Sequence, residues 1–191
     1  MKKITLDDIM GPEAYEKIRE EFRRRIIELK RNRRVPVGDR VSLVFENRDT
    51  VLFQIQEMLR AERITDLDKI REEIDVYNDL IPGPGELSAT LFLEIEDQTR
   101  LREELLKFLG IDEAVFLRIG DTVVRARFEE GRSKEDKISA VQYVKFPLGP
   151  REIAAFRDLE SVELFIDHPQ YKASARISGE AKKALCRDFE D

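Results

Sequence analysis

Between residues 40 and 96 the apolar periodicity changes twice, and this narrows the folds open to the chain. Residues 40–46 alternate, with Val41, Leu43 and Phe45 on one face, as a strand does. Val51, Leu52, Ile55, Met58 and Leu59 then recur at helical spacing up to about Arg63, after Asn47, a residue suited to an N-cap. A second capping pattern at residues 65–68 opens another helix, with Leu67, Ile70, Ile74, Tyr77 and Ile81 expected to be buried. Pro82-Gly83-Pro84-Gly85 stops it, and Ala89, Leu91, Leu93 and Ile95 return to strand period. A helical hairpin boxed between two strands must pack on the sheet those strands form.

The flanking segments fit such a sheet. Gly11-Pro12 opens a long helix with Tyr15, Ile18, Phe22, Ile26 and Leu29 on its apolar face, after a short capped turn at Thr5. Residues 35–39 read as a turn. Residues 97–109 read as helix, with Gly110 at the C-cap. Strands are expected at 115–119 and 123–128 about a tight turn, then at 138–146, 162–166 and 171–177. Short helices are expected at 150–158 and after Ser178, the last running into a ragged acidic tail. Strands joined by short turns favour an α+β fold: a largely antiparallel sheet carrying a helical hairpin and further helices. No long linker interrupts the 191 residues, so one domain is expected, helix-rich to about 110 and strand-rich from about 111.

Charge and cysteine usage exclude several functions. The net charge of −6 argues against nucleic-acid binding by the chain as a whole. One cysteine, Cys186, allows no internal disulfide. No signal peptide and no apolar run of membrane-spanning length is visible, so a cytoplasmic protein without membrane association is expected. With one histidine and one cysteine the chain lacks the ligands of a di-iron, zinc or iron–sulfur site, and no cofactor is expected.

Four segments carry a family resemblance. They are F-E-N-R-D-T-V-L-F-Q-I-Q-E-M-L-R-A-E, G-P-G-E-L-S-A-T-L-F-L-E-I-E, G-R-S-K-E-D-K-I-S-A-V-Q-Y-V-K-F and I-D-H-P-Q-Y-K-A. Together they resemble a bacterial family that carries only a domain-of-unknown-function label, number 3501, over nearly the whole chain. The resemblance supplies no catalytic residue. The genes of that family tend to lie beside those of rubrerythrin-like and iron–sulfur oxidoreductase proteins. By association this implies an accessory or binding role in a bacterial redox or peroxide-related system, with such a protein as partner.

The candidate site is the central segment, where Glu46, Arg48, Asp49, Gln54, Glu57 and Arg60 crowd an apolar stripe. Two readings are open. The charges could form a network orienting the hairpin, Glu57 pairing with Arg60 and Arg48 with Glu46, Glu94 or Glu96. They could instead line the pocket of an enzyme or ligand site, or hold a hard cation through Glu46, Asp49 and Glu57. Further candidates are Glu86 after its rigid turn, Arg132 as an anion ligand, and His168 with Tyr171. Arg23, Arg24, Arg25, Lys30, Arg31, Arg33 and Arg34 form a basic run. It reads as a solvated helix end, a dock for an acidic partner or, least favoured for want of interleaved aromatics, a nucleic-acid contact.

Overall fold

A computed structural model describes residues 1–130, 133–134 and 137–190. A 3₁₀ turn at Leu6–Asp8 leads into α1, Pro12–Arg31. Strands β1 (Arg34–Pro36) and β2 (Val41–Phe45) precede the hairpin of α2 (Arg48–Ala61) and α3 (Leu67–Asn78), and β3 (Glu86–Leu93) follows it. The expected helix at 97–109 is broken: 3₁₀ at Gln98–Arg100, then α4 at Leu101–Leu106. Strands β4 (Val115–Ile119), β5 (Thr122–Arg125), β6 (Arg127–Phe128), β7 (Ser133–Lys134), β8 (Lys137–Ile138) and β9 (Val141–Pro147) come next. Helix α5 (Pro150–Asp158), β10 (Ser161–His168), β11 (Tyr171–Ser178) and α6 (Gly179–Arg187) complete the α+β fold.

The strands form two antiparallel sheets, β1-β2-β3-β9-β6 and β11-β10-β4-β5, with β7 and β8 as a separate ribbon. Their inner faces share one core. Leu43, Phe45, Leu91 and Phe146 from the first sheet meet Leu117, Leu164 and Ile177 from the second, and Phe108, Phe156 and Leu185 close the ends. The chain crosses between sheets at buried Ala126, whose N–H donates to the Val115 carbonyl at 2.9 Å.

Strand β2 is buried at all five positions because both of its faces are covered. The second sheet lies on one side. On the other, α2 lays Val51, Ile55 and Leu59 down with Ile74 of α3 and Ile4 of the N-terminal segment. Helix α1 joins through Tyr15, Phe22 and Ile26, with Phe22 edge-on to Phe53 at 5.4 Å. Helix α2 begins with a reciprocal cap, Asn47 and Thr50 each accepting from the other's backbone N–H at 3.0 Å.

Several expectations are corrected. Residues 35–39 are not all turn, since Val35 lies in β1. The strand expected at 138–146 divides into β8 and β9. Ile18 is 39 % exposed and Leu67 59 %, so neither helps bury its helix. Ser178 occupies the N-cap of α6 without a side-chain cap bond. The acidic tail is not ragged: Asp188 is buried, and Phe189 meets Phe156 edge-on at 5.5 Å.

Candidate functional site

Glu46 directly follows β2 with its side chain on the helix-covered side, and is 3 % exposed. Its Oε1 accepts from the Thr90 hydroxyl at 2.6 Å and its Oε2 from Thr50. Hydroxyl donors hold this carboxylate, where sequence reading expected Arg48. Arg48 turns instead to the N-terminal segment, pairing with Asp8 at 2.7 Å and donating to the Lys2 carbonyl at 3.1 Å. The reason is strand parity: Thr90 on β3 faces the same side as Glu46, whereas Arg48 has already entered the helix and points outward.

Glu57 does not pair with Arg60. It receives two bonds from Arg19, at 2.8 and 2.9 Å, and one from the Tyr15 hydroxyl at 2.7 Å. The donor helix α1 runs beside α2, so interhelical reach displaces the expected pair within one helix. The Arg19 bonds, then that of Tyr15, hold the Glu57 carboxyl below its usual range, while burial and Glu57 push the Tyr15 phenol up. Arg60 pairs with Glu16 of α1 at 2.8 Å.

The depressed Glu57 value sets a pH dependence. A carboxylate whose folded pKa is lowered contributes stability above its unfolded value, lost as pH falls through the folded one. Glu57→Gln is therefore expected to cost about 1–2 kcal/mol near neutrality. The difference from wild type should shrink toward zero at acid pH, as urea denaturation at a series of pH values would read. A constant difference across pH would contradict the assignment.

The remaining candidates are separate. Asp49 is exposed in the first turn of α2, and Gln54 is half-buried on its flank. The buried amide of that helix is Gln56, which sequence reading passed over. It accepts from the Met10 N–H at 2.7 Å and donates to the Met10 carbonyl at 3.3 Å, tying the N-terminal segment to α2. Glu86 takes the Gly83 N–H and the Lys145 ammonium, each at 2.8 Å, and so braces the Pro-Gly turn. Arg132 lies outside the described residues. Glu46, Asp49 and Glu57 do not converge, and among the described residues no three His, Cys, Asp or Glu side chains gather as ligands.

His168 and Tyr171 are neighbours in β10 and β11 but hold different things. His168 is 4 % exposed, with Nε2 at 2.7 Å from the Leu109 carbonyl and Nδ1 accepting from the Gln170 N–H at 3.2 Å. That pattern assigns the proton to Nε2 and fixes the ring against the end of the α4 segment. Tyr171 donates to the Val37 carbonyl at 2.6 Å and accepts from the Arg40 N–H at 3.1 Å, fastening the β1–β2 loop to β11. Cys186 is half-buried, and burial raises its thiol pKa, so it is a poor nucleophile.

The basic run is split by burial. Arg33 is 2 % exposed, donates to the Phe45 and Glu46 carbonyls at 2.7 and 3.0 Å, and pairs with buried Asp188. Arg34 lies over the Phe92 ring. Arg23, Arg24, Arg25 and Arg31 remain outside.

Two recesses border the seam between α1 and α2. One, of about 700 Å³, has Ile18, Phe22, Leu52, Arg24 and Arg25 in its walls. The other, of about 500 Å³, lies between the 3₁₀ turn, α1, the end of α2 and the start of α3. Neither has Glu46, Arg48 or Glu57 in its walls.

Residues 3–189 match the family model described as "Protein of unknown function (DUF3501)". The chain belongs to the DUF3501 family. A solved structure shares the fold of this DUF3501 chain: a novel protein of unknown function from Burkholderia pseudomallei. It is 35 % identical, with a TM-score of 0.92 over 98 % of this chain and 100 % of that one. No curated protein matches the DUF3501 chain. Among its described residues no helix is long and apolar enough to cross a membrane.

Proposed function

We propose that this protein is an accessory binding protein of a bacterial redox system, docking an acidic partner on the outer side of α1. The observation that carries this reading is the division of its polar groups. Glu46, Glu57, His168 and Tyr171, the side chains suited to catalysis, are each engaged by internal partners. The exposed side of α1 carries Arg24 and Arg25 beside apolar groups on a recess that Glu21 and Glu28 also line, with Arg31 paired to Glu28 at 3.0 Å. Ile18 stands 39 % exposed on that recess, and the Arg24 guanidinium has no partner among the described residues. Arg25 lies over the Phe22 ring at 4.9 Å, on the same recess. A surface mixing exposed apolar groups with cations suits a partner carrying apolar and acidic ones.

The partner class is the one the family resemblance implies, a rubrerythrin-like or iron–sulfur oxidoreductase protein in the cytoplasm. Charge reversal of Arg24, Arg25 and Arg31 should weaken capture of that partner at least as strongly as added salt does. Arg33 is left untouched because it is buried. Pull-down from the host at low salt decides the matter. Recovery of neither partner class, or capture indifferent to the three reversals, would refute the reading. An enzymatic reading finds less support, since of the central segment's charged candidates Arg60 alone lies in the walls of the two recesses described, paired there with Glu16. Nucleic-acid binding loses Arg33 from its basic run.

A further inference from the structure

The helix α2 ends in a way that costs free energy. Ile64 N–H donates to the Leu59 carbonyl at 2.9 Å and Arg63 N–H to the Arg60 carbonyl at 3.3 Å, the paired bonds of a Schellman motif. The residue that must then be left-handed is ordinarily glycine. Here it is Arg63, at φ 53°, the one non-glycine residue with positive φ among those described. Its guanidinium is exposed and has no partner among the described residues. A strained position whose side chain does nothing for the fold points to a use outside it.

Arg63 stands on the wall of the 500 Å³ recess. That volume is in the range of small-molecule sites, roughly 300–1,000 Å³. The walls are otherwise mostly apolar: Ile9, Leu59, Ile64, Leu67 and Ile70 among them. Leu67 is 59 % exposed although it begins α3, so an apolar occupant would remove it from water. Of the charged groups lining the recess, Glu16 and Arg60 pair with each other, which leaves Arg63 as the uncompensated charge. Gly11 and Pro12, at the start of α1, lie on the same wall.

We infer that this recess binds a small amphipathic monocarboxylate. Its apolar body lies along Leu59, Ile64 and Ile70, and its carboxylate meets Arg63. The proposal is independent of the partner-docking reading, which concerns the other recess and different charged residues, although Met10 borders both.

Decanoate is a suitable probe, with decanol as its uncharged counterpart. Isothermal titration on the full chain is expected to show one saturable site for decanoate that weakens with added salt. Arg63→Gly keeps the backbone conformation, so the variant should fold and melt at the same or a higher temperature. Its affinity for decanoate should fall about tenfold, the worth of one charge-assisted hydrogen bond, while its affinity for decanol is unchanged. Leu67→Glu, at an already exposed position, should abolish decanoate binding by placing a like charge at the mouth. Absence of saturable heat at about 1 mM decanoate would overturn the site. So would an Arg63→Gly variant that binds decanoate as wild type does, or equal loss of decanoate and decanol.

Discussion

Asp188→Ala is expected to destabilise the protein by about 3–5 kcal/mol, because it strands a buried guanidinium. Arg33 is 2 % exposed, and the ion pair crosses from the end of α1 to the end of α6, joining residues 155 apart in sequence. Two carbonyls, of Phe45 and Glu46, take the other guanidinium bonds. The pair thus seals the corner where β2 ends and α6 stops. Urea denaturation should show the loss as a lower midpoint with little change in slope. The double variant Arg33→Met, Asp188→Leu should recover a large part of it, because no uncompensated charge then stays buried. A loss below about 1 kcal/mol for Asp188→Ala would mean that the pair behaves as an exposed one.

Gly38→Ala is the second large expected effect, at about 3 kcal/mol or more. Gly38 has φ 76°, where an L side chain is strained by roughly 1–2 kcal/mol. A methyl group there would also fall on the Tyr171 hydroxyl and come within 2.9 Å of the Ala173 Cβ. The tyrosine could yield only by releasing the Val37 carbonyl and the Arg40 N–H, bonds inside the structure that cost roughly 1–3 kcal/mol to break. Tyr171→Phe removes the same bonds without the backbone strain, so it should cost less than Gly38→Ala. In the double variant the two losses should be far from additive. A Gly38→Ala protein as stable as wild type would refute the close approach of the β1–β2 loop to β11.

The elements themselves were legible because each follows from local pattern. The periods over residues 41–93 yield β2, α2, α3 and β3, whereas Gly110, expected as a helix C-cap, is left-handed at φ 88° but opens the 3₁₀ turn Ile111–Glu113, α4 having ended at Leu106. Long helix α1 was readable from Pro12 and its apolar spacing. What local pattern missed is where competition was decided at a distance. A strand of three residues, β1, carries too few positions to show a period. Leu67 and Ile18 fit their helices' apolar stripes, but the neighbours that would cover them are absent.

The candidate site divides along the same line. Sequence alone marked Glu46, Glu57 and Arg60 as charged groups within an apolar pattern, placed Arg33 in a basic run, and limited the chain's metal-ligand set. Only the tertiary structure chose their partners. Glu57 has Arg60 within helical reach, yet Arg19 takes it with two bonds because the α1–α2 seam brings a planar fork to it. Glu46 meets hydroxyls because β2 and β3 are in register, Phe45 opposite Ala89 and Val44 opposite Thr90. Arg33 looks like one more solvated base in a run of seven until α6 delivers Asp188 to it. Periodicity records which face of an element is covered, and a sequence read alone carries that much. Which charge meets which depends on how elements far apart in the chain are packed, and no local spacing encodes it.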